Sequence, residues 1–286
     1  MYNNEPNQGM RCIKDILNNF TPAPLHFDIF NVRAEAELPD LSYDIYISSG
    51  GPGNPNEGDG VWDKKWYNLI DQLWQYNDHT QCRRKYVFFI CHSFQMACIH
   101  FKLGVATQRR STSFGVFPIH KTLAGMHDPL LRDLPDPYFC VDSRNWQVIQ
   151  ANRQRLHDLG AEVLALEKIR PHVALERALM SIRFSNEMIG TQFHPEADAQ
   201  GMLLHLQMPE KKQYIIDTFG EDKYYNMLTS LRDPEKVMLT HDTILPFFLK
   251  DSVKKLLNTD ATIRAQRAET WQTAQPVNSV GANTTV

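Results

Sequence analysis

Two stretches of this 286-residue chain carry residue types that could break and make covalent bonds. The first is Cys91, which directly follows the apolar run Tyr86–Ile90 and precedes Phe94, Ala97, Cys98 and Phe101 at helical spacing. A cysteine between a buried strand and a helix occupies a nucleophile elbow, with the amides of the first helical turn beneath its sulfur. A free thiol, with a pKa of about 8.5, is mostly protonated at neutral pH, and a helix terminus or a nearby imidazole favours the thiolate. Free cysteine is also a common core residue, so position and type alone leave both readings open. The second stretch is Gly190-Thr191-Gln192-Phe193-His194-Pro195-Glu196, a strand-like run ending in histidine with a carboxylate two residues on. In extended backbone, positions two apart face the same way, so Glu196 can orient His194 and stabilise its charge.

A third element is the dense turn Ser49-Gly50-Gly51-Pro52-Gly53, which follows the β-type run Asp44–Ser48. Its unencumbered backbone N–H groups could serve as an oxyanion hole beside a nucleophile. Taken as local sequence, it reads equally as an ordinary turn.

The order of strands and helices says how these pieces are held. Helical periodicity is expected over Met10–Phe20 and Trp62–Tyr76, and strands over Leu25–Val32, Asp44–Ser48 and Tyr86–Ile90. Further short strands are expected over Val116–Ile119, Tyr138–Val141, Ala161–Leu166, Met180–Phe184 and Met188–Phe193, several of them antiparallel because few long helices separate them. The pattern predicts an α/β fold built on a mainly parallel, doubly wound, three-layer flavodoxin-like sheet, with active-site residues at the carboxyl ends of strands. Such a domain usually opens on a central strand, yet only Met1–Asn4 precede the first helical region. That strand is expected to be a stub, or the sequence as given starts late. After about Gly201 the pattern is helical. The expected organisation is an α/β domain over 1–205, a helical appendage over 206–262 and a flexible tail over 263–286.

The three elements together resemble the class I glutamine amidotransferase family, with a general similarity to the glutaminase part of GMP synthase that specifies no purine acceptor. The run S-G-G-P-G looks like its oxyanion loop, C-H-S-F-Q like its C-x-G-x-Q elbow, and Q-F-H-P-E matches its histidine–glutamate motif, in the family's chain order from Asp44 to Glu196. The resemblance implies Cys91 as nucleophile, His194 as general base and then acid, and Glu196 as the orienting carboxylate. It places the oxyanion on the amides of Gly51 and His92, and the glutamine substrate against Gln95, Gly50 and Ser143. The family usually has glycine two positions before and two after the cysteine; Phe89 and Ser93 stand there instead.

The implied activity is release of ammonia from the side-chain amide of glutamine through a cysteine thioester. No phosphate loop of the G-x-x-x-x-G-K-[ST] type is present, so an ammonia-accepting synthetase subunit on another chain is the implied partner. Homoserine O-acyltransferases share the fold and triad, and resemble the chain at Phe114–Phe117, Pro129–Leu131 and Ser143-Arg144. A γ-glutamyl peptidase and a non-catalytic regulatory subunit are the other readings.

Composition narrows the field. A formal net charge of -3, with 42% hydrophobic and 22% charged residues, gives no electrostatic reason to expect nucleic acid. No apolar run reaches the roughly 18 residues of a membrane span, and the first residues do not resemble a secretion signal. A cytoplasmic protein is expected, with no cofactor. The five cysteines lack the pairing of a zinc site or disulfide scaffold, and His92, His100, His120 and His127 lack ligand spacing, so no metal is expected.

Overall fold

The computed structural model describes all residues except 22, 23, 80–82, 172, 173, 175, 234 and 274–286. Its first helix is α1, Gln8–Asn18, capped by Asn7, whose side-chain oxygen accepts the Met10 amide at 2.8 Å. A single turn, α2 (Val32–Glu35), leads to strand β1 (Ile45–Ser48) and helix α3 (Trp62–His79). Strand β2 (Tyr86–Ile90) and helix α4 (His92–His100) follow with only Cys91 between them. Then come β3 (Val105–Lys121), α5 (Leu123–His127), β4 (Tyr138–Ile149), α6 (Arg153–Leu159), β5 (Glu162–Glu167), β6 (Leu179–Arg183) and β7 (Met188–Thr191). Helices α7 (Ala199–Gln207), α8 (Pro209–Phe219), α9 (Glu221–Arg232) and α10 (Val237–Thr273) complete the described chain. None of the described helices is long and apolar enough to cross a membrane.

The strands form one seven-stranded sheet in the order β1-β2-β7-β6-β5-β3-β4. Strands β1, β2 and β7 pair in parallel, and the remaining neighbours pair antiparallel. Followed across the sheet, β1, β7, β5 and β4 run in the direction of β2, while β6 and β3 run against it. Common strand direction is therefore wider than parallel pairing, which is confined to the side that bears β2. All five residues of β2 are buried, as a strand covered on both faces requires. On one face Phe88 meets Phe248 of α10, ring centroids 5.1 Å apart. On the other, Phe89 packs edge-on against Trp66 of α3 at 5.9 Å and Phe184 at 5.4 Å.

The late helices thus share the sheet's core. Ile244, Leu245, Phe248 and Leu249 of α10 are buried in the same cluster as Phe88 and Ile90, while α7, α8 and α9 pack around a smaller cluster with Val141. Backbone helix continues through Thr273, beyond the tail boundary expected at 262; the rest of that tail lies outside the described residues.

One expected element is corrected. Leu25–Val32 does not form a strand; its residues have no ladder partner, and the only helix there is the short α2. Strand β1 is the edge of the sheet. Both it and the 25–31 segment line a cavity of about 1190 Å³, with Ile13, Leu17, Leu69 and Leu256 also on its walls. Alternating apolar residues make a segment fit to be a strand, but a strand also needs a backbone ladder. Instead, 25–31 meets the chain just before β1 through side chains, with Tyr43 Oη donating to Asp28 at 2.6 Å and the Tyr43 ring edge-on to Phe30.

The bulk of Phe89, unexpected before an elbow, is accommodated across the ladder. Phe89 pairs with Gly190 of β7, and a Cβ on Gly190 would lie 2.9 Å from both Phe89 Cβ and Phe94 Cδ2. Large and small residues have been placed on opposite strands so that β2 and β7 still close together. Gly190→Ala is expected to destabilise the fold by about 1–3 kcal/mol through overpacking, read as a lower denaturant midpoint with an unchanged slope.

Candidate active site

The site starts from a strained residue. Cys91 has φ 50° and ψ -100°, a conformation L-residues rarely adopt, and it is held there from both sides. Its amide donates to Thr191 O of β7 at 2.8 Å, and its carbonyl accepts from Gln95 N at 3.0 Å to open α4. Ser93, the other departure from the family's elbow, fits by using its hydroxyl. Its Oγ accepts the Ile90 amide at 3.0 Å and donates to Ser48 O at 2.5 Å, tying the elbow to the end of β1. The cost of the turn is met by these bonds and by the rigid strands beneath it.

Because β2 and β7 are parallel neighbours with Ile90 opposite Thr191, the residues just beyond them leave the same edge of the sheet. This brings His194 to Cys91. The His194 amide donates to Val141 O of β4 at 2.9 Å, fixing the backbone. Its Nδ1 donates to Glu196 Oε1 at 2.8 Å. Glu196 is only 1% exposed, and its main-chain carbonyl accepts from His241 Nδ1 of α10 at 2.9 Å. Burial lowers the His194 pKa, but Glu196 and then Cys91 outweigh it, and the imidazole is held well above its ordinary value. A cysteine facing a histidine whose far nitrogen is hydrogen-bonded to a carboxylate can pass its proton to the ring and attack a carbonyl carbon.

The glycine loop lies against this group. A Cβ on Gly50 would stand 2.9 Å from His194 Cε1 and 3.4 Å from Cys91 Cβ, so only glycine lets the loop approach so closely. Gly51 packs beneath the Met1 carbonyl. Neither the Gly51 amide nor the His92 amide, which begins α4, makes a hydrogen bond among the described residues. Both remain available as donors. The His92 ring is buried, and burial together with the charge of Arg33 lowers its pKa to about 3. It is a neutral ring whose Nε2 has no partner.

Other residues marked from the sequence take different places. Ser143 presents its main-chain carbonyl, 3.9 Å from Cys91 Sγ. It sits between Asp142 and Arg144, a buried pair at 2.9 Å that Glu167 extends at 3.2 Å. Gln95 is buried, and its amide nitrogen is committed to Trp146 O and Gln192 Oε1, each at 3.0 Å. Gln192 in turn directs its amide nitrogen at Cys91 Sγ, 3.7 Å away. Sequence reasoning passed over Gln192, although it lies two residues before His194 in an extended run and so shares its face. It also passed over His241, for which no local signal exists. His100 hydrogen-bonds Asp71 at 2.7 Å and stacks on Tyr67, away from this group.

A mixed sheet carrying a cysteine elbow beside a histidine–glutamate pair defines the amidotransferase-like class of α/β proteins. The family model for class-I glutamine amidotransferases matches residues 8–202, and the chain belongs to that family. Among solved structures, a glutamine amidotransferase from Thermotoga maritima is similar with a TM-score of 0.59 at 15% identity, covering 79% of this chain and 86% of that one. The crystal structure of SMU.1228c is similar with a TM-score of 0.54 at 18% identity, covering 76% and 84%. At these identities the likeness is one of fold. No curated protein sequence matches the chain.

Removing the anion should shift the balance on the histidine. In Glu196→Gln the neighbouring charge that most raises the His194 pKa is gone while the burial that lowers it stays, so the pKa is expected to fall below that of the parent ring. Titration of the His194 Cε1–H resonance checks this.

Proposed function

We propose that the chain is a glutaminase that supplies ammonia to an acceptor site on another chain. Family membership supports amidotransferase chemistry in general. The observation that carries the specific reading is Cys91 in a strained elbow, facing the ring of a His194 that is bound to buried Glu196.

In this reading His194 takes the proton of Cys91, and the sulfur attacks the side-chain carboxamide carbon of glutamine. The C=O electrons move onto oxygen, where the Gly51 and His92 amides hold the negative charge. Collapse of the intermediate breaks the C–N bond. His194, now protonated, gives its proton to the leaving nitrogen, and ammonia departs from a γ-glutamyl thioester. Water, deprotonated by the same ring, then attacks the thioester; glutamate leaves and the thiol is restored. Glu196 keeps the ring in the tautomer that points Nε2 outward and stabilises its positive form. Gln192 donates towards the sulfur, and Gln95 holds Gln192 in place. Glutamine enters against Gly50 and the Ser143 carbonyl, the latter a fit acceptor for an ammonium group. The protein works in the cytoplasm, where its thiols stay reduced.

Glutamate release from glutamine by the purified protein tests the reading. Cys91→Ala is expected to lower the rate by at least about 10³-fold, since loss of a triad nucleophile leaves only binding and oxyanion stabilisation. Acyl transfer from an acyl-CoA to homoserine is expected to be absent. Homoserine acylation without glutamine hydrolysis would overturn the proposal.

A further inference from the structure

One hydroxyl beside the site has no role in the mechanism above. Tyr2 is half-buried, and its Oη lies among Gly50, Gly9, His194 and Glu196. The point where a Gly50 Cβ would stand is 2.9 Å from Tyr2 Oη and 2.9 Å from His194 Cε1. The point where a Gly9 Cβ would stand, on the first turn of α1, is 3.1 Å from the same Oη and 3.0 Å from Glu196 Oε1. Two glycines from separate elements therefore leave clearance around one phenol oxygen. Main-chain contacts hold the residue before it, where the Met1 nitrogen donates to Ser49 Oγ at 3.3 Å and Arg33 donates to the Met1 carbonyl at 3.4 Å.

The chemistry of the neighbours is complementary. Glu196 spends Oε1 on His194, but its Oε2 is buried without any partner. A buried carboxylate oxygen without a donor is costly. Tyr2 Oη makes no hydrogen bond among the described residues, and its O–H is the neighbouring donor without an acceptor. Burial raises the phenol pKa, and the nearby Glu196 and Cys91 outweighed in part by His194 leave it raised, so the hydroxyl keeps its proton at working pH.

Resting on the proposed triad, we propose that Tyr2 is a positioning residue whose phenol donates to Glu196 Oε2, directly or through one water, and so fixes the carboxylate that orients His194. The phenol acts on Cys91 only through Glu196 and His194. A tyrosine suits this place because it is a donor that stays neutral, whereas a lysine would add a charge beside His194.

The test is carboxamidomethylation of Cys91 by iodoacetamide across pH, followed by the mass of the Cys91 peptide, for the parent protein, Tyr2→Phe and Gly9→Ala. This reaction reads the thiol–imidazole pair and needs no glutamine. Tyr2→Phe keeps the ring and removes the donor. It is expected to slow alkylation at pH 7 about tenfold, the worth of a hydrogen bond to a charged group, and to displace the pH profile, with the thermal midpoint unchanged. Gly9→Ala, which places a methyl between Oη and Glu196 while favouring helix, is expected to displace the profile in the same way. Parent-like rates and profiles in both variants would overturn the assignment. So would slower alkylation on an unmoved profile, which marks a steric role alone. If glutamine is not hydrolysed while the alkylation profiles shift as expected, the proposed function fails and the role of Tyr2 stands.

Discussion

The parallel pairing of β2 with β7 is the constraint on which the rest depends. With Ile90 opposite Thr191, the chain must turn out of both strands at the same level, and Cys91 and His194 emerge side by side. A register shift of one residue would send alternate side chains to the opposite face, separating sulfur from imidazole and exposing part of β2. Burial on both faces makes that slip costly: Val87, Phe88, Phe89 and Ile90 are each at most 1% exposed, and burying such side chains is worth about 1.5–3 kcal/mol apiece. The same apolar contacts that stabilise the sheet therefore set the position of the reactive groups. The strained backbone at Cys91 is sustained because the strand before it and the helix after it are both immobilised by packing.

The elbow shows how a steric rule can be kept while its usual residues change. Two small residues around a nucleophile serve a tight turn and a close strand contact. Here the close contact is met by Gly190 on the neighbouring strand, which makes room for Phe89. The tight turn is met by Ser93, small enough to fit and able to satisfy the Ile90 amide and Ser48 carbonyl with one hydroxyl. The sequence viewed alone makes Phe89 an anomaly, because the compensating glycine is about a hundred positions away and only the ladder brings the two together.

That difference between local and non-local information runs through the whole comparison. The junction at Cys91 was legible because a continuous apolar run followed by helical spacing is a local pattern. The His194–Glu196 relation was legible because extended backbone puts alternate residues on one face. Strand order was not, since pairing depends on contacts between distant segments. Leu25–Val32 shows the limit: its alternation is genuine, but β1 remains the edge of the sheet and the segment makes no ladder with it. Gln95 was marked only through the likeness of C-H-S-F-Q to the family's elbow motif, whereas its link through Gln192 to the sulfur depends on three separate elements meeting.

The C-terminal helices illustrate why a change in sequence character need not mark a change in physical unit. Beyond Gly201 the pattern becomes wholly helical, which reads as an addition. Yet α10 lays Phe248 on Phe88 of β2, and about two turns earlier it directs two polar groups at β4 and at the loop after β7. Thr240 Oγ1 donates to Phe139 O of β4, and His241 Nδ1 donates to the carbonyl of Glu196. The loop that carries His194 and Glu196 is thus held by β4 through Val141 and by α10 through His241. A buried carbonyl without that donor would have to find water or move, and Glu196 would move with it. On the proposed mechanism, the helix contributes no reacting group but restricts the carboxylate on which the histidine's orientation depends.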